Sequence, residues 1–366
     1  MSVAVADDVV TVRLADGRTA AFHRLALRDA CPCLLCRHPF SGQRLFESRN
    51  VVPCAHVSAA RIDAGTLIVD WSDGHRSVFD ENWLMLEAEA LDNGARRARP
   101  ITLWGSELAD RLPAGSYAEV VEDAEALRRW LDGLAECGLS VLKGAPVEED
   151  AVAGIAELFG HVRVTNYGRI FDVNVRADAS NLADTASALS LHTDNPYREP
   201  TPGLQLLHCL VSSVAGGDSV VADGFRAVAQ LSPERLDVLV QQPIRYAYRD
   251  DGAELWADVP VVSLDANGVT AAVHLNNRSK GVPVGTPDAV AQWYAAYFEL
   301  VALLESPSAQ VVFRLAPGDV AVFDNLRVLH ARTAFEGEGV RRLQGCYADR
   351  DALFSSLGVL ARTGAG

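Results

Sequence analysis

Residues 3–23 (VAVADDVVTVRLADGRTAAFH) alternate apolar and polar positions, and Asp16-Gly17 stands between two such runs. Alternation with period two places one face of a strand on a core, and an Asp-Gly pair between two runs predicts a β-hairpin. The segment LIVDWSDGHRSVFD (67–80) repeats the pattern, with Asp73-Gly74 at its turn. A polar, arginine-rich stretch, Asn93 to Pro100, reads as a linker. The expected organisation is therefore a small β-rich domain over residues 1–95 and a second domain over 96–366.

Beyond residue 122 the period changes. EDAEALRRWLDGLAECG has apolar residues at i, i+3 and i+4 with a glycine at its end, the pattern of an amphipathic helix. SPERLDVLVQQ (232–242) and TPDAVAQWYAAYFELVALLES (286–306) each begin with Ser or Thr followed by Pro, the expected N-cap and first helical position. Short β-like runs lie between and after them: GLQLLHCL, DSVVADGF, TAAVHLNN, AQVVFRL, DVAVFDN and RRLQGCYA. Many short strands with a few helices predict a β-sandwich or jelly roll wrapped by helices.

The chain has 366 residues, a length that suits two domains and a core large enough to fold without disulfides. Lys+Arg number 33 against 48 Asp+Glu, a formal net charge of -15. That balance argues against nucleic acid or an anionic membrane as a partner, since both require a basic surface. No run approaches ~18 apolar residues, and the first ten residues lack the basic segment of a signal peptide, so a cytoplasmic protein is expected.

The seven cysteines are Cys31, Cys33, Cys36, Cys54, Cys137, Cys209 and Cys346. An odd number argues against a disulfide framework, and three within six residues point to metal or redox chemistry. Three thiolates need a fourth ligand for a tetrahedral structural zinc, and His75 at the second hairpin tip is the candidate, with Cys54 and His38 as rivals.

In LSLHTDNPY (189–197), His192 and Asp194 stand two apart in a strand-like run, so both side chains point to one face. His330 follows the apolar run DVAVFDNLRVLH. Two imidazoles and a carboxylate are the facial triad that leaves positions open on Fe(II). Arg341 lies eleven residues further on; with Leu343, Gly345 and Tyr347 it shares one strand face, where a guanidinium would bind the distal carboxylate of 2-oxoglutarate. Arg342 is the alternative should the register slip by one.

LHTDNPYREPTPGLQLLHCL, GGDSVVADGF, APGDVAVFDNLRVLHART and LQGCYADRD resemble the γ-butyrobetaine hydroxylase family of Fe(II)/2-oxoglutarate dioxygenases, over about residues 10–355. The resemblance implies a mainly β protein: a double-stranded β-helix (jelly-roll) catalytic domain with a small N-terminal zinc domain. It places His192, Asp194 and His330 on the iron ligands, Arg341 on the 2-oxoglutarate anchor, and a histidine at the position of His75 beside the C-x-C-x-x-C run. It also implies O2 as co-substrate, ascorbate as reductant and a homodimer.

The family binds a trimethylammonium group in an aromatic cage. Tyr167 and Phe171, read as four apart on one strand face, match two cage positions, and Tyr347 a third; Phe171 replaces a tryptophan. Asp184 stands where the animal γ-butyrobetaine hydroxylases carry another cage tyrosine. Asn181 and the pair Asn276-Asn277, with Asn277 as the candidate contact, match polar residues that meet the substrate carboxylate. Arg278 replaces a small residue beside them. Asp184 and Arg278 together lean toward 2-trimethylaminoethylphosphonate as substrate, with γ-butyrobetaine as the alternative. A trimethyllysine dioxygenase, a taurine-type sulfonate dioxygenase and a zinc-stabilised interaction protein with a dead barrel are the competing classes.

Overall fold

The computed structural model describes residues 1–92, 100–174, 187–336 and 339–364. The linker expected at 93–100 lies, but for Pro100, outside them. The chain divides into two compact units, Met1–Arg99 and Pro100–Gly366.

In the first unit the alternation of residues 2–23 builds three antiparallel strands, Ser2–Ala6, Val9–Arg13 and Thr19–His23. The single hairpin expected here is thus a meander. Its additional turn falls at Asp7-Asp8, where Asp7 takes a left-handed backbone (φ 49°) that a short polar side chain tolerates. A second sheet, Val57–Asp63, Thr66–Trp71 and Arg76–Phe79, carries the expected turn at Gly74. Val10, Val12, Phe22, Leu67, Val69 and Phe79 point inward and share one core with Leu84 of the helix Glu81–Asp92. The loop between Asp29 and Ser48 carries the three clustered cysteines.

The second unit contains two larger sheets. One runs in the order Phe171–Asn174, Arg341–Ala348, Leu204–Ser212, Val320–Asp324, Leu139–Lys143, Ala114–Ser116, with Val162–Arg163 also paired to Arg341–Ala348. The other runs Leu189–His192, Val328–Arg332, Ser219–Asp223, Gln310–Phe313. Side chains of both line one cavity of about 1080 Å3, so the sheets face each other as the two walls of a jelly roll. Helices cover the outer faces. Trp130, Leu131 and Leu134 of the helix Ala124–Cys137 pack on Leu204, Leu206 and Val322 of the first sheet. Trp293, Ala296, Tyr297 and Leu300 of the helix Pro287–Glu305 belong to one core with Ala222 and Leu329 of the second.

The helix ends obey their local chemistry. Asp123 accepts from the Glu125 amide, and Gly138 (φ 71°) closes the same helix with its N–H on the Leu134 carbonyl. Ser232 and Thr286 cap the helices Pro233–Gln241 and Pro287–Glu305 by accepting from the amides of Arg235 and Ala289. Each such cap is worth about 1 kcal/mol. No helix among the described residues is long and apolar enough to cross a membrane.

Candidate active site and metal centres

His192 ends its strand and pairs directly with His330 on the neighbouring strand, which brings the two rings to 4.1 Å between centroids. Asp194 follows two residues later, just past the strand, and its Oδ1 lies 3.4 Å from His192 Nε2 and 3.9 Å from His330 Nε2. All three ligand atoms fall within 4.8 Å of one another. Adjacent ligand atoms on an octahedral ion with bonds of roughly 2.1 Å stand about 3 Å apart, so the three residues fit one divalent metal on one face.

Neighbouring groups hold this constellation. His192 Nδ1 lies 2.9 Å from the Ser190 carbonyl; a carbonyl only accepts, so Nδ1 carries the proton and Nε2 is left as a ligand. Asn325, fully buried, accepts from the Asp194 amide at 2.7 Å and donates to the Asp194 carbonyl at 2.9 Å. Tyr347 donates its hydroxyl to Asp194 Oδ2 at 2.8 Å. Burial alone raises the carboxyl of Asp194, but the His192 contact, the charge of His330 and the Tyr347 hydrogen bond outweigh it and hold the group well below the ordinary carboxylate range. Burial lowers His330 to about 3, so at neutral pH the site presents an anionic carboxylate and a neutral imidazole, as a metal requires.

Arg341 and Arg342 separate as their alternation dictates. Arg341 is buried, lines the cavity and donates Nε to the Gly217 carbonyl at 3.1 Å. Arg342 points the other way and pairs with Asp172 at 2.9 Å and with Glu149. The cavity face of the Arg341–Ala348 strand carries Arg341, Leu343, Gly345 and Tyr347 in turn. A Cβ at Gly345 would stand 2.5 Å from the Phe171 ring, so glycine is what lets that ring lie against the strand.

Five of the rings that line the cavity touch one another in a chain. Phe171 meets Tyr347 at 5.1 Å and Tyr167 at 6.5 Å; Tyr248 stacks on Tyr197 at 5.2 Å and edges Tyr167 at 5.7 Å. The Tyr167 and Tyr197 hydroxyls bond at 2.8 Å, and Tyr197 donates onward to Asn195 Oδ1 at 2.6 Å. Burial raises the phenols of Tyr167, Tyr197 and Tyr248, which stay neutral and present π faces to a cation.

Tyr167 and Phe171 do not share a strand face as expected. Only Phe171–Asn174 is strand; Tyr167 sits in a turn closed by mutual hydrogen bonds between Thr165 and Gly168, whose φ of 92° reverses the chain. Asn277 is a second correction. It is exposed and does not line the cavity, whereas its neighbour Asn276, buried and bonded to the Thr193 carbonyl, does. Consecutive residues project to different sides, and the Asn276 side chain is the inward one. Arg278 lines the cavity at its exposed edge. Asn181 and Asp184 lie outside the described residues.

Sequence reasoning missed Tyr197, Tyr248, Asn195, Asn325 and Gln205. Tyr197 and Asn195 belong to the HTDNPY run that was already singled out. Gln205 is buried on the cavity wall, its Oε1 without a partner among the described residues. Tyr248 is brought in by the hairpin Ile244–Arg249/Glu254–Val259, which no local signal ties to the site.

In the first unit, His75 Nε2 lies 3.2, 3.5 and 3.6 Å from the sulfurs of Cys31, Cys33 and Cys36. Zinc bonds of roughly 2.3 Å to sulfur and 2.0 Å to nitrogen place tetrahedral S and N about 3.5 Å apart, so the Cys3His cluster fits a closed zinc site. Burial and the Arg28 charge lower His75, favouring the neutral ligand form, although the Asp73 charge opposes them. Arg28 also points NH1 at Cys36 Sγ (3.5 Å) while paired with Asp73 (3.2 Å). Cys54 is exposed, and His38 is bonded to Ser41; neither belongs to the cluster.

A jelly roll with two imidazoles and a carboxylate converging on its cavity, and a buried arginine along the same wall, is the architecture of an Fe(II)/2-oxoglutarate oxygenase. Residues 97–347 match the family described as Taurine catabolism dioxygenase TauD, TfdA family, and residues 1–85 match Gamma-butyrobetaine hydroxylase-like, N-terminal. The chain is 37% identical over 361 residues to the gamma-butyrobetaine dioxygenase of Pseudomonas sp. (strain AK-1), covering 96% of this chain and 94% of that one. It is 30% identical over 352 residues to the mitochondrial trimethyllysine dioxygenase of Rattus norvegicus, covering 93% and 82%. The crystal structure of asparagine oxygenase with Fe(II), 2S,3S-3-hydroxyasparagine and succinate shares the fold, with a TM-score of 0.51, 21% identity, and coverage of 66% of this chain and 89% of that one. The chain belongs to the γ-butyrobetaine hydroxylase family of Fe(II)/2-oxoglutarate dioxygenases. Fe(II) and 2-oxoglutarate are its cofactor and co-substrate.

Proposed function

We propose that the protein hydroxylates γ-butyrobetaine. The observation that carries this reading is the wall of five rings, Tyr167, Phe171, Tyr197, Tyr248 and Tyr347, in the cavity that also holds the His192/Asp194/His330 cluster. Ring faces attract a quaternary ammonium by about 0.5–2 kcal/mol each way of contact, and several around one cation make a selective pocket. Similarity through both units to a bacterial gamma-butyrobetaine dioxygenase supports the carboxylate-bearing substrate over the phosphonate. Of the two residues that favoured the phosphonate, Asp184 lies outside the described residues and Arg278 sits at the exposed edge of the cavity.

His192, Asp194 and His330 would hold the iron, and Arg341 the distal carboxylate of 2-oxoglutarate. When bound, iron and 2-oxoglutarate supply the dioxygen chemistry that hydroxylates a C–H bond and releases succinate and CO2. The chain's own residues bind and orient. Leu207, Val221, Phe323 and Leu343 give the cavity apolar walls that exclude water around the centre. The rings fix the cationic end of the substrate, and Asn276 with Arg278 meets the anionic end, so one C–H is held in place. Ascorbate as reductant and a homodimeric assembly belong to the same reading.

The test is a panel of γ-butyrobetaine, 2-trimethylaminoethylphosphonate, trimethyllysine and taurine, each with iron, 2-oxoglutarate and ascorbate, reading succinate and hydroxylated product. The highest kcat/KM is expected for γ-butyrobetaine. A higher value for the phosphonate or for trimethyllysine would replace the substrate, and no succinate with any of them would support the dead-barrel alternative.

A further inference from the structure

The two oxygens of Asp194 have different surroundings. Oδ1 faces His192 Nε2 and His330 Nε2, whereas Oδ2 accepts the Tyr347 hydroxyl at 2.8 Å. Asn325 already fixes the Asp194 backbone through both its amide and its carbonyl. What the backbone clamp leaves free is the carboxylate torsion, whose half-turn exchanges the two oxygens. The Tyr347 side chain is itself confined. It is buried, its Cα stands opposite Gln205 in the sheet, and its ring packs at 5.1 Å against Phe171, within the aromatic wall.

We propose that Tyr347 is a positioning residue for the metal centre as well as part of the cation pocket: its hydroxyl orients the Asp194 carboxylate, so that a ligand packed on its ring is felt at the iron. This rests on the assignment of His192, Asp194 and His330 as iron ligands. One side chain then links substrate docking to the geometry of the metal ligands, and thermodynamic linkage makes the effect reciprocal. Hydrogen bonds that orient a metal ligand carry about 10- to 100-fold in metal affinity.

The experiment is anaerobic Fe(II) titration of the metal-free full-length protein, with and without γ-butyrobetaine, for wild type, Tyr347→Phe and Phe171→Leu. Tyr347→Phe keeps the ring and removes only the donor. Its Fe(II) Kd should rise about 10- to 100-fold, and the shift in Fe(II) Kd that γ-butyrobetaine causes in the wild type should disappear. Phe171→Leu, which leaves the Tyr347 donor in place, should raise KM for the cation. Should Tyr347→Phe fold poorly, 3,5-difluorotyrosine at position 347 changes donor strength while keeping the shape, and its Fe(II) Kd should differ from that of wild type. An unchanged Fe(II) Kd in whichever of these two proteins folds overturns the proposal. A wild type that binds no Fe(II) sinks the iron assignment itself. A wild type that binds Fe(II) and prefers another cation changes only the substrate, and that cation then takes the place of γ-butyrobetaine in the titration.

Discussion

Arg341 and Arg342 are adjacent, identical in chemistry and opposite in fate. One is buried along the cavity wall; the other is engaged in surface ion pairs with Glu149 and Asp172. Charge-assisted hydrogen bonds to a carboxylate are worth about 1.5–3 kcal/mol, so Arg341→Met should weaken 2-oxoglutarate binding roughly 10- to 100-fold. Arg342→Met removes pairs of the kind worth about 0–1 kcal/mol and should leave that affinity within twofold. Calorimetric titration of 2-oxoglutarate into each variant loaded with Mn(II) reads both. Equal losses would mean that the strand register does not select the anchor. This register was legible because side chains alternate on a strand, and Tyr347 six residues on had to face the same way. Asn276 and Asn277 were not separable by the same rule, since the strand ends at Val273 and alternation no longer applies beyond it.

Elements that rest on local chemistry were readable. The helices Ala124–Cys137, Pro233–Gln241 and Pro287–Glu305 begin at their Asp, Ser and Thr caps, because a side-chain oxygen satisfies an amide that the helix itself leaves unpaired. The element bearing Tyr167 was misread because a tight turn at Gly168 interrupts what alternation alone treats as continuous. The cysteine loop is the element whose side chains fit a zinc ion. Three thiolates and one imidazole converge there, in a small unit whose core otherwise rests on two short sheets and a helix. Cys36→Ser should reduce the zinc content from one equivalent to none and lower the hydrogen-exchange protection of residues 24–48. Elemental analysis with exchange mass spectrometry measures this, and full zinc retention would sink the assignment.

Across the whole molecule, acid acts on histidines that burial keeps neutral. His208 is fully buried with both ring nitrogens unpartnered among the described residues, and His274 is buried beside the Pro260 carbonyl. Burial lowers both below the ordinary value of about 6.5. The unfolded chain therefore takes up protons first as pH falls through that value, and folding stability drops below it. His208→Leu fills similar space without a titratable group. It should raise the melting temperature of the metal-free protein more at pH 5 than at pH 8. A gain equal at both pH values would show that His208 is not protonated on unfolding.

By itself the chain determined what short-range physics controls: strand alternation, helix caps, the Asp-Gly turns, the C-x-C-x-x-C loop, and the His-x-Asp pair with the later His330 and Arg341. These spacings carry chemistry because neighbouring residues on one element must point together or apart. Tertiary structure alone decided what distant segments share. It brought Tyr248 from a hairpin onto Tyr197, set Asn325 across the Asp194 backbone, and closed His75 onto a loop some forty residues earlier in the chain. Cavity walls are built from strands far apart in sequence, and their contacts follow from the packing of two sheets rather than from any local period.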